Sequence, residues 1–195
     1  MRSAAILAGG RASRFGGRDK SALVVDGATI LERQIAVLRD VDTIAEILIA
    51  GAPRHREART IPDVVPGCGP LGGIHAALTE ARHDSVFVVA CDLPYVTAPL
   101  VAHLLELTRD ADLVVPRTER GYHPLCAVYT RACLEPIARR LAAGQLKVMA
   151  LVDDVRTRVV SSDELDRFWP GSRLLANVNT PSDYAELEAL HDHKL

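Results

Sequence analysis

The sequence predicts an α/β fold: a single domain built on a doubly wound, mostly parallel, Rossmann-like sheet with helices on both faces. Apolar strand-like runs alternate with helical spacing through roughly the first two-thirds of the chain, as in proteins built from βαβ units. The clearest run, residues 85–90, is continuous and β-branched, as buried central strands are. A length of 195 residues suits one such domain, and no linker or internal repeat divides it.

Each predicted element depends on a local pattern. Strands are expected where short apolar runs end at glycine, proline or polar residues, at 4–7, 44–50, 85–90, 112–116, 125–129 and 174–178. Helices are expected where apolar residues recur every three or four positions, at about 30–40, 71–81, 97–105 and 134–141, with a last helix starting at Thr180. Residues 54–59 are predicted to be a polar connection or a short helix, and 117–122 a loop. Only a short loop separates strands 112–116 and 125–129, which predicts one local antiparallel strand pair.

The loop after the first strand carries the strongest functional signal. Gly9 and Gly10 end the strand, and Arg14 and Lys20 follow among further glycines and cations. Glycine lets backbone N–H groups approach a ligand closely, and the cations supply charge for phosphates. The spacing does not match a P-loop, which needs glycine directly before the lysine, or a dinucleotide fingerprint. A phosphate-binding loop is the favoured interpretation, and a solvated Gly/Arg loop is the alternative.

Asp92 follows the central strand 85–90 directly. Open α/β sheets place their ligands at the carboxyl ends of the strands, so a carboxylate there can hold a divalent cation beside a phosphate. Mg²⁺ needs only one or two carboxylates when phosphate oxygens and water complete its shell. The alternative is an aspartate that caps the turn before Pro94.

Composition excludes several classes of function. A net charge of −2 gives no global basic field for nucleic-acid binding. No apolar run approaches the roughly 20 residues that span a bilayer, so no membrane association is expected. The four cysteines form neither a C-x-x-C pair nor a disulfide scaffold at this size, which favours a reduced, cytoplasmic compartment.

Five motifs in order carry a family resemblance. Residues 7–20 resemble the signature of nucleotidyltransferases at Leu7-Ala8-Gly9-Gly10, Arg14, Gly16 and Asp19-Lys20, with Ala12 and Phe15 where many members have serine and methionine. The other motifs are GPLGG at 69–73, CDLP at 91–94, HP at 123–124 and NVNTP at 177–181. Within that superfamily the chain is most similar to the molybdenum cofactor guanylyltransferases, and the likeness covers nearly its whole length.

The resemblance implies a set of site residues. Arg14, Lys20 and Asp92 would be catalytic, with Asp92 as the metal ligand. Nucleotide-binding residues would be Leu7, Ala8, Gly9, Gly10, Lys20, Asp63 and Asp92. Acceptor-binding residues would be His123, Lys147, Asn177 and Asn179. On spacing alone, Asp63 is a loop residue before a helix and Lys147 an exposed helix-end lysine, so both roles depend on the resemblance.

The expected function is transfer of GMP from GTP to (molybdo)molybdopterin with release of pyrophosphate and with Mg²⁺ as cofactor. About 1–110 of the single domain 1–195 would bind the nucleotide and about 111–195 the acceptor. Other molybdenum cofactor biosynthesis proteins are expected partners. Gly9-Gly10 resembles the guanylyltransferases, whereas relatives that use CTP tend to carry LAAG. The alternatives are a cytidylyl- or other nucleotidyltransferase acting on a small phosphate acceptor, and a non-catalytic protein that binds GTP or molybdopterin.

Overall fold

A computed structural model describes residues 1–8, 20–51, 54–62, 67–168 and 174–177, with Lys20 described by its backbone alone. The elements, contacts and site distances given for the protein all lie within these ranges.

The main sheet contains eight strands: β1 Arg2–Leu7, β4 Ile44–Ala50, β5 Arg59–Ile61, β6 Ser85–Ala90, β7 Leu113–Thr118, β8 Gly121–Tyr122, β9 Cys126–Thr130 and β10 Thr157–Val160. The sheet is mixed, and its order is β10-β7-β9-β6-β1-β4-β5, with β8 paired to β7. A separate two-stranded ribbon joins β2 Val24–Val25 to β3 Ala28–Thr29. β5, β4, β1 and β6 are parallel, and β10 is parallel to β7.

Strand β9 runs against this direction and lies between β6 and β7, antiparallel to both. The predicted antiparallel pair is therefore confirmed, and it is extended by a second antiparallel ladder to β6. As a consequence, the start of β9 lies at the same edge of the sheet as the ends of β6 and β7.

Helices cover both faces of the sheet. They are α1 Ile30–Arg39, α2 Gly69–Glu80, α3 Ala98–Glu106, α4 Leu134–Ala142 and the short α5 Ser162–Leu165. Alternate β1 side chains enter two separate cores: Ile6 packs with α1 and α3 on one face, and Leu7 packs with α2 and α4 on the other. The predicted doubly wound α/β architecture is confirmed.

Several local expectations hold. Thr97 is the N-cap of α3 with proline in the first turn. Helix α4 ends just before Gly144, whose φ of 67° suits glycine. β6 is buried along its whole length, as its continuous apolar sequence predicts.

Three expectations were wrong. Residues 54–59 form no short helix: the polar connection contains a bridge between His55 and Ala58, and the chain then enters β5 at Arg59, adding an edge strand. Residues 117–122 form a small hairpin, because Arg117 and Thr118 continue β7 and pair with β8. Leu174 and Leu175 are buried in a turn instead of a strand, and their apolar side chains fill the α1–α3 core.

Among the described residues, no helix is both long and apolar enough to cross a membrane.

Candidate active site

The site lies where the parallel strands end. In register, Leu7 of β1 faces Ala50 of β4 and Ala90 of β6. Beyond the strand ends, Ala8 N donates to Ala50 O at 2.9 Å and Cys91 N donates to Leu7 O at 3.2 Å. The start of the glycine loop and the segment that carries Asp92 are therefore held side by side, at the edge where open α/β sheets bind ligands.

Helix α2 closes the other side of this edge. A Cβ added to Gly73 would lie 3.2 Å from Leu7 Cδ2, so glycine lets α2 pack closely against the last residue of β1. One turn earlier, at Gly69, the helix begins with no acidic side chain in its first turn. The first-turn backbone N–H groups and the positive dipole end of a helix suit an anion.

Asp92 is the third residue of a tight turn spanning residues 90–93. Leu93 N donates to Ala90 O at 3.3 Å, and Ala90 N donates to Leu125 O at 2.9 Å on the neighbouring strand segment. Asp92 is half-buried, and its Oδ1 is shielded from solvent. The turn thus holds a carboxylate at the sheet edge on a backbone anchored from two sides.

Helix α1 supplies a further anchor, which the sequence analysis above does not predict. Gln34 Nε2 donates to Ala90 O at 2.8 Å and to Leu93 O at 3.0 Å, from a residue only 3% exposed. The signal was present in the sequence, because Gln34 is a polar residue within the apolar stripe that includes Leu31 and Leu38.

Arg33, the neighbour of Gln34, links the same loop to the β2–β3 ribbon. Its Nε donates to Pro94 O at 3.4 Å and its Nη1 donates to Val25 O at 3.3 Å. The Nη1 also lies 3.2 Å from Asp26 Oδ2, and the guanidinium lies over the Tyr95 ring. The ribbon follows the short 3₁₀ turn Lys20–Ala22, which α1 also contacts. Helix α1 therefore contacts both the turn at Lys20–Ala22 and the loop that follows Asp92.

His123 lies at the same edge, two residues before Leu125, whose carbonyl binds Ala90 N. Its Nε2 is 2.8 Å from Thr118 Oγ1, and its backbone N donates to Pro116 O at 2.8 Å. Burial lowers the pKa of His123, and the charge of Arg120 lowers it further. At neutral pH the imidazole is therefore neutral, able to donate one hydrogen bond and accept another.

Lys147 and Asn177 are both exposed. Lys147 precedes the 3₁₀ helix Val148–Asp153, and within the described part of the chain no hydrogen bond or ion pair involves either side chain. The structure thus joins Leu7, Ala8, Asp92 and His123 at one edge, whereas it records no contact of Lys147 or Asn177 with them.

The remaining predicted site residues lie outside the described residues. They are Gly9, Gly10, Arg14, Asp63 and Asn179, together with the side chain of Lys20. Within the described ranges, no group of three or more His, Cys, Asp or Glu side chains is arranged to hold a metal ion.

Comparison with known proteins agrees with this geometry. Residues 4–159 match the model of the MobA-like NTP transferase domain. A probable molybdenum cofactor guanylyltransferase of Pelotomaculum thermopropionicum is 35% identical over 192 residues, covering 96% of this chain and 92% of that protein. A molybdenum cofactor guanylyltransferase of Desulfosudis oleivorans is 34% identical over 189 residues, covering 94% and 93%.

A solved structure has the same fold. Molybdopterin-guanine dinucleotide biosynthesis protein A from Archaeoglobus fulgidus superposes with a TM-score of 0.82 and 24% identity, covering 99% of this chain and 100% of that one. The family match, the curated relatives and the shared fold each extend over most of the chain. The chain therefore belongs to the MobA-like NTP transferase family and is a nucleotidyltransferase.

Proposed function

We propose that the protein transfers GMP from GTP to molybdopterin, forming the guanine dinucleotide form of the molybdenum cofactor and releasing pyrophosphate. The observation that carries the proposal is the junction of three segments at one sheet edge: the end of β1, the Asp92 turn after β6, and the His123 segment before β9. The guanylyltransferase names of two relatives that each cover more than nine-tenths of the chain support the choice of substrates.

The nucleotide would lie over the ends of β1 and β6. Leu7 and Ala8 would contact it through their backbone, continued by Gly9 and Gly10, while Arg14 and Lys20 would neutralise its phosphates. Asp63, which follows β5 along the chain, would accept hydrogen bonds from N1–H and the 2-amino group of guanine. A carboxylate in that position discriminates against bases that lack this pair of donors.

Asp92 is the residue that would hold Mg²⁺. The donor set fits this ion, because a single hard carboxylate at a partly shielded edge leaves the other positions to water and phosphate oxygens. When bound, the ion would neutralise charge on the α-phosphate and the departing pyrophosphate. Arg14 and Lys20 would share that neutralisation.

No protein nucleophile is required. The attacking group is an oxygen of the acceptor's own phosphate, which is ionised near neutral pH, so the protein has to position two substrates and stabilise charge. Neutral His123, with Lys147, Asn177 and Asn179, would contact the acceptor. On this proposal about 1–110 serve the nucleotide and about 111–195 the acceptor, the protein works in the cytoplasm, and other cofactor biosynthesis proteins supply or receive its ligand.

The test is pyrophosphate release by purified protein with Mg²⁺ and molybdopterin, compared across GTP, CTP, ATP and UTP. Release with GTP alone, dependent on molybdopterin, is expected. Release with CTP instead would identify a cytidylyltransferase and refute the guanine assignment. Binding of GTP without release from any nucleotide would refute the proposed transfer and favour a non-catalytic binding protein.

A further inference from the structure

We propose that Gln34 is a positioning residue, which sets the Asp92 carboxylate by tying together the two ends of the turn that carries it. The inference rests on the proposed function, since the consequence of positioning is measured through the metal that Asp92 would hold. It adds a role for a buried helix residue that never touches substrate.

The Gln34 amide binds both ends of the turn that carries Asp92. In the turn 90–93, Ala90 and Leu93 are the first and last residues, and one NH₂ group reaches both of their carbonyl oxygens, at 2.8 and 3.0 Å. The turn's own hydrogen bond, from Leu93 N to Ala90 O, is long at 3.3 Å. The Gln34 amide therefore adds two shorter hydrogen bonds that join the two ends of the turn, and Asp92 lies between those ends.

Burial of the polar Gln34 side chain has a cost in stability. Gln34 is 3% exposed, and within the described part of the chain no donor reaches its buried Oε1. An unsatisfied buried amide oxygen costs stability, so a methionine or leucine would fill this place in the apolar stripe with less polar burial. What glutamine provides, and an apolar side chain lacks, is the pair of donors to the two carbonyls.

Different hydrogen bonds hold the two ends of the turn 90–93. Cys91 N is bound to Leu7 O and Ala90 N to Leu125 O, so the sheet fixes the start of the turn from both sides. Within the described residues, the carbonyl of Leu93 is held by Gln34. Loss of the amide would thus loosen the end of the turn that follows Asp92, where Arg33 Nε still donates to Pro94 O, while leaving the strand in place. Groups that orient a metal ligand in this way typically change metal affinity or activity by about ten- to hundredfold when removed.

The experiment compares Gln34→Met, Gln34→Glu and a matched control, Ile35→Val, with the wild type. Gln34→Met keeps the shape and removes both donors, whereas Gln34→Glu also turns an acceptor toward the two carbonyls. Ile35 is 1% exposed on the same helix, so Ile35→Val loosens the core without removing a hydrogen bond to the turn.

Two readouts are required. In metal-free protein, amide hydrogen exchange of Leu93 measured by NMR should accelerate at least about tenfold in both Gln34 variants and stay at the wild-type rate in Ile35→Val. With GTP present, the Mn²⁺ concentration for half-saturation, followed by electron paramagnetic resonance, should rise about ten- to hundredfold, and more in Gln34→Glu than in Gln34→Met.

The inference is overturned if Gln34→Met is folded and matches Ile35→Val both in the amide hydrogen exchange rate of Leu93 and in its affinity for Mn²⁺. Failure of the proposed function has a different signature: wild-type protein would then bind no Mn²⁺ with GTP or release no pyrophosphate. In that case, accelerated Leu93 exchange would still uphold the positioning of the turn by Gln34, and unchanged exchange would refute it.

Discussion

The backbone N–H of Cys91 donates to the carbonyl oxygen of Leu7 across 3.2 Å, one residue beyond the last paired positions of β6 and β1. This hydrogen bond extends the parallel ladder past the end of the sheet and fixes where the two strands release their loops. One loop begins with Ala8 and continues into the glycine-rich segment, and the other carries Asp92. The ligand-binding edge is therefore built by strand register.

Replacing Asp92 by asparagine should abolish most of the activity. The variant keeps the size of the side chain but removes the charge that would hold Mg²⁺, so several kcal/mol of transition-state stabilisation are lost. We expect kcat for GTP-dependent pyrophosphate release to fall at least about a hundredfold, which corresponds to about 3 kcal/mol. Asp42→Asn, an exposed site before β4, is the control and should stay near wild type. Activity within a few-fold of wild type in Asp92→Asn would refute the metal assignment.

Replacing Lys20 by methionine should weaken use of the nucleotide. A lysine that donates charge-assisted hydrogen bonds to phosphate contributes about 1.5–3 kcal/mol, so KM for GTP should rise about ten- to a hundredfold. Lys20→Arg retains the charge and should lose less. Steady-state kinetics with GTP varied, together with a melting curve for each variant, check the result. Equal loss in both variants would show that charge is not what the position supplies.

His123 predicts a pH dependence of stability. Burial, followed by the charge of Arg120, lowers its pKa in the folded state below the ordinary 6.5. The unfolded chain therefore binds the proton first, and stability falls as the pH drops from about 6.5 toward the lower folded pKa. His123→Gln should flatten this fall. Urea unfolding at pH 7.5 and 5.5 measures it, and an equal loss of stability in wild type and variant would contradict the lowered pKa.

Glu46 lies at the end of the sheet opposite the candidate site. Its interactions should make the stability of the protein sensitive to acid at a lower pH than His123 does. Its side chain is 8% exposed and accepts from Ser3 Oγ at 2.8 Å, Arg82 N at 2.9 Å and Arg59 Nη2 at 3.1 Å. Burial alone would raise the pKa of Glu46, but the hydrogen bonds outweigh it and the pKa is lowered.

Because the folded pKa of Glu46 lies below the unfolded one, its stabilisation is present above about pH 4.5 and is lost as the pH falls through the lower folded value. Glu46→Gln should cost about 2 kcal/mol in the free energy of unfolding at pH 7 and progressively less below pH 4.5. Glu57→Gln, in an ion pair with Arg39 on the surface, is the control and should cost little. A cost for Glu46→Gln that does not change with pH would refute the assignment.

Most of the fold could be predicted because apolar periodicity and turn residues agree along the chain. The continuous run in β6 predicted a buried central strand, and the helical spacing around Ile35 predicted α1, whose N-cap Thr29 forms a capping box with Glu32. The wrong predictions concern short segments whose secondary structure depends on the elements packed against them. Arg59 enters a strand because β4 offers a free edge, and Leu174 is apolar because it fills a core from a turn.

The candidate site was predictable in part for the same reason. Asp92 could be placed from its position after β6, and Leu7 and Ala8 from their position at the end of β1. The pairing of His123 with Thr118 depends on a hairpin that the sequence did not reveal, and Gln34 acts through carbonyl oxygens whose location only the tertiary structure supplies. Long-range backbone partners leave almost no mark on the local sequence.

The central claim, transfer of a nucleotidyl group from GTP to molybdopterin, is tested most directly by following two labels. The protein would be incubated with Mg²⁺, molybdopterin and GTP labelled on either the α- or the γ-phosphate, and the products separated. We expect the α-label to appear in a molybdopterin dinucleotide and the γ-label in pyrophosphate, in equal amounts. The α-label in free GMP, or the γ-label in inorganic phosphate with no labelled dinucleotide, would contradict the claim.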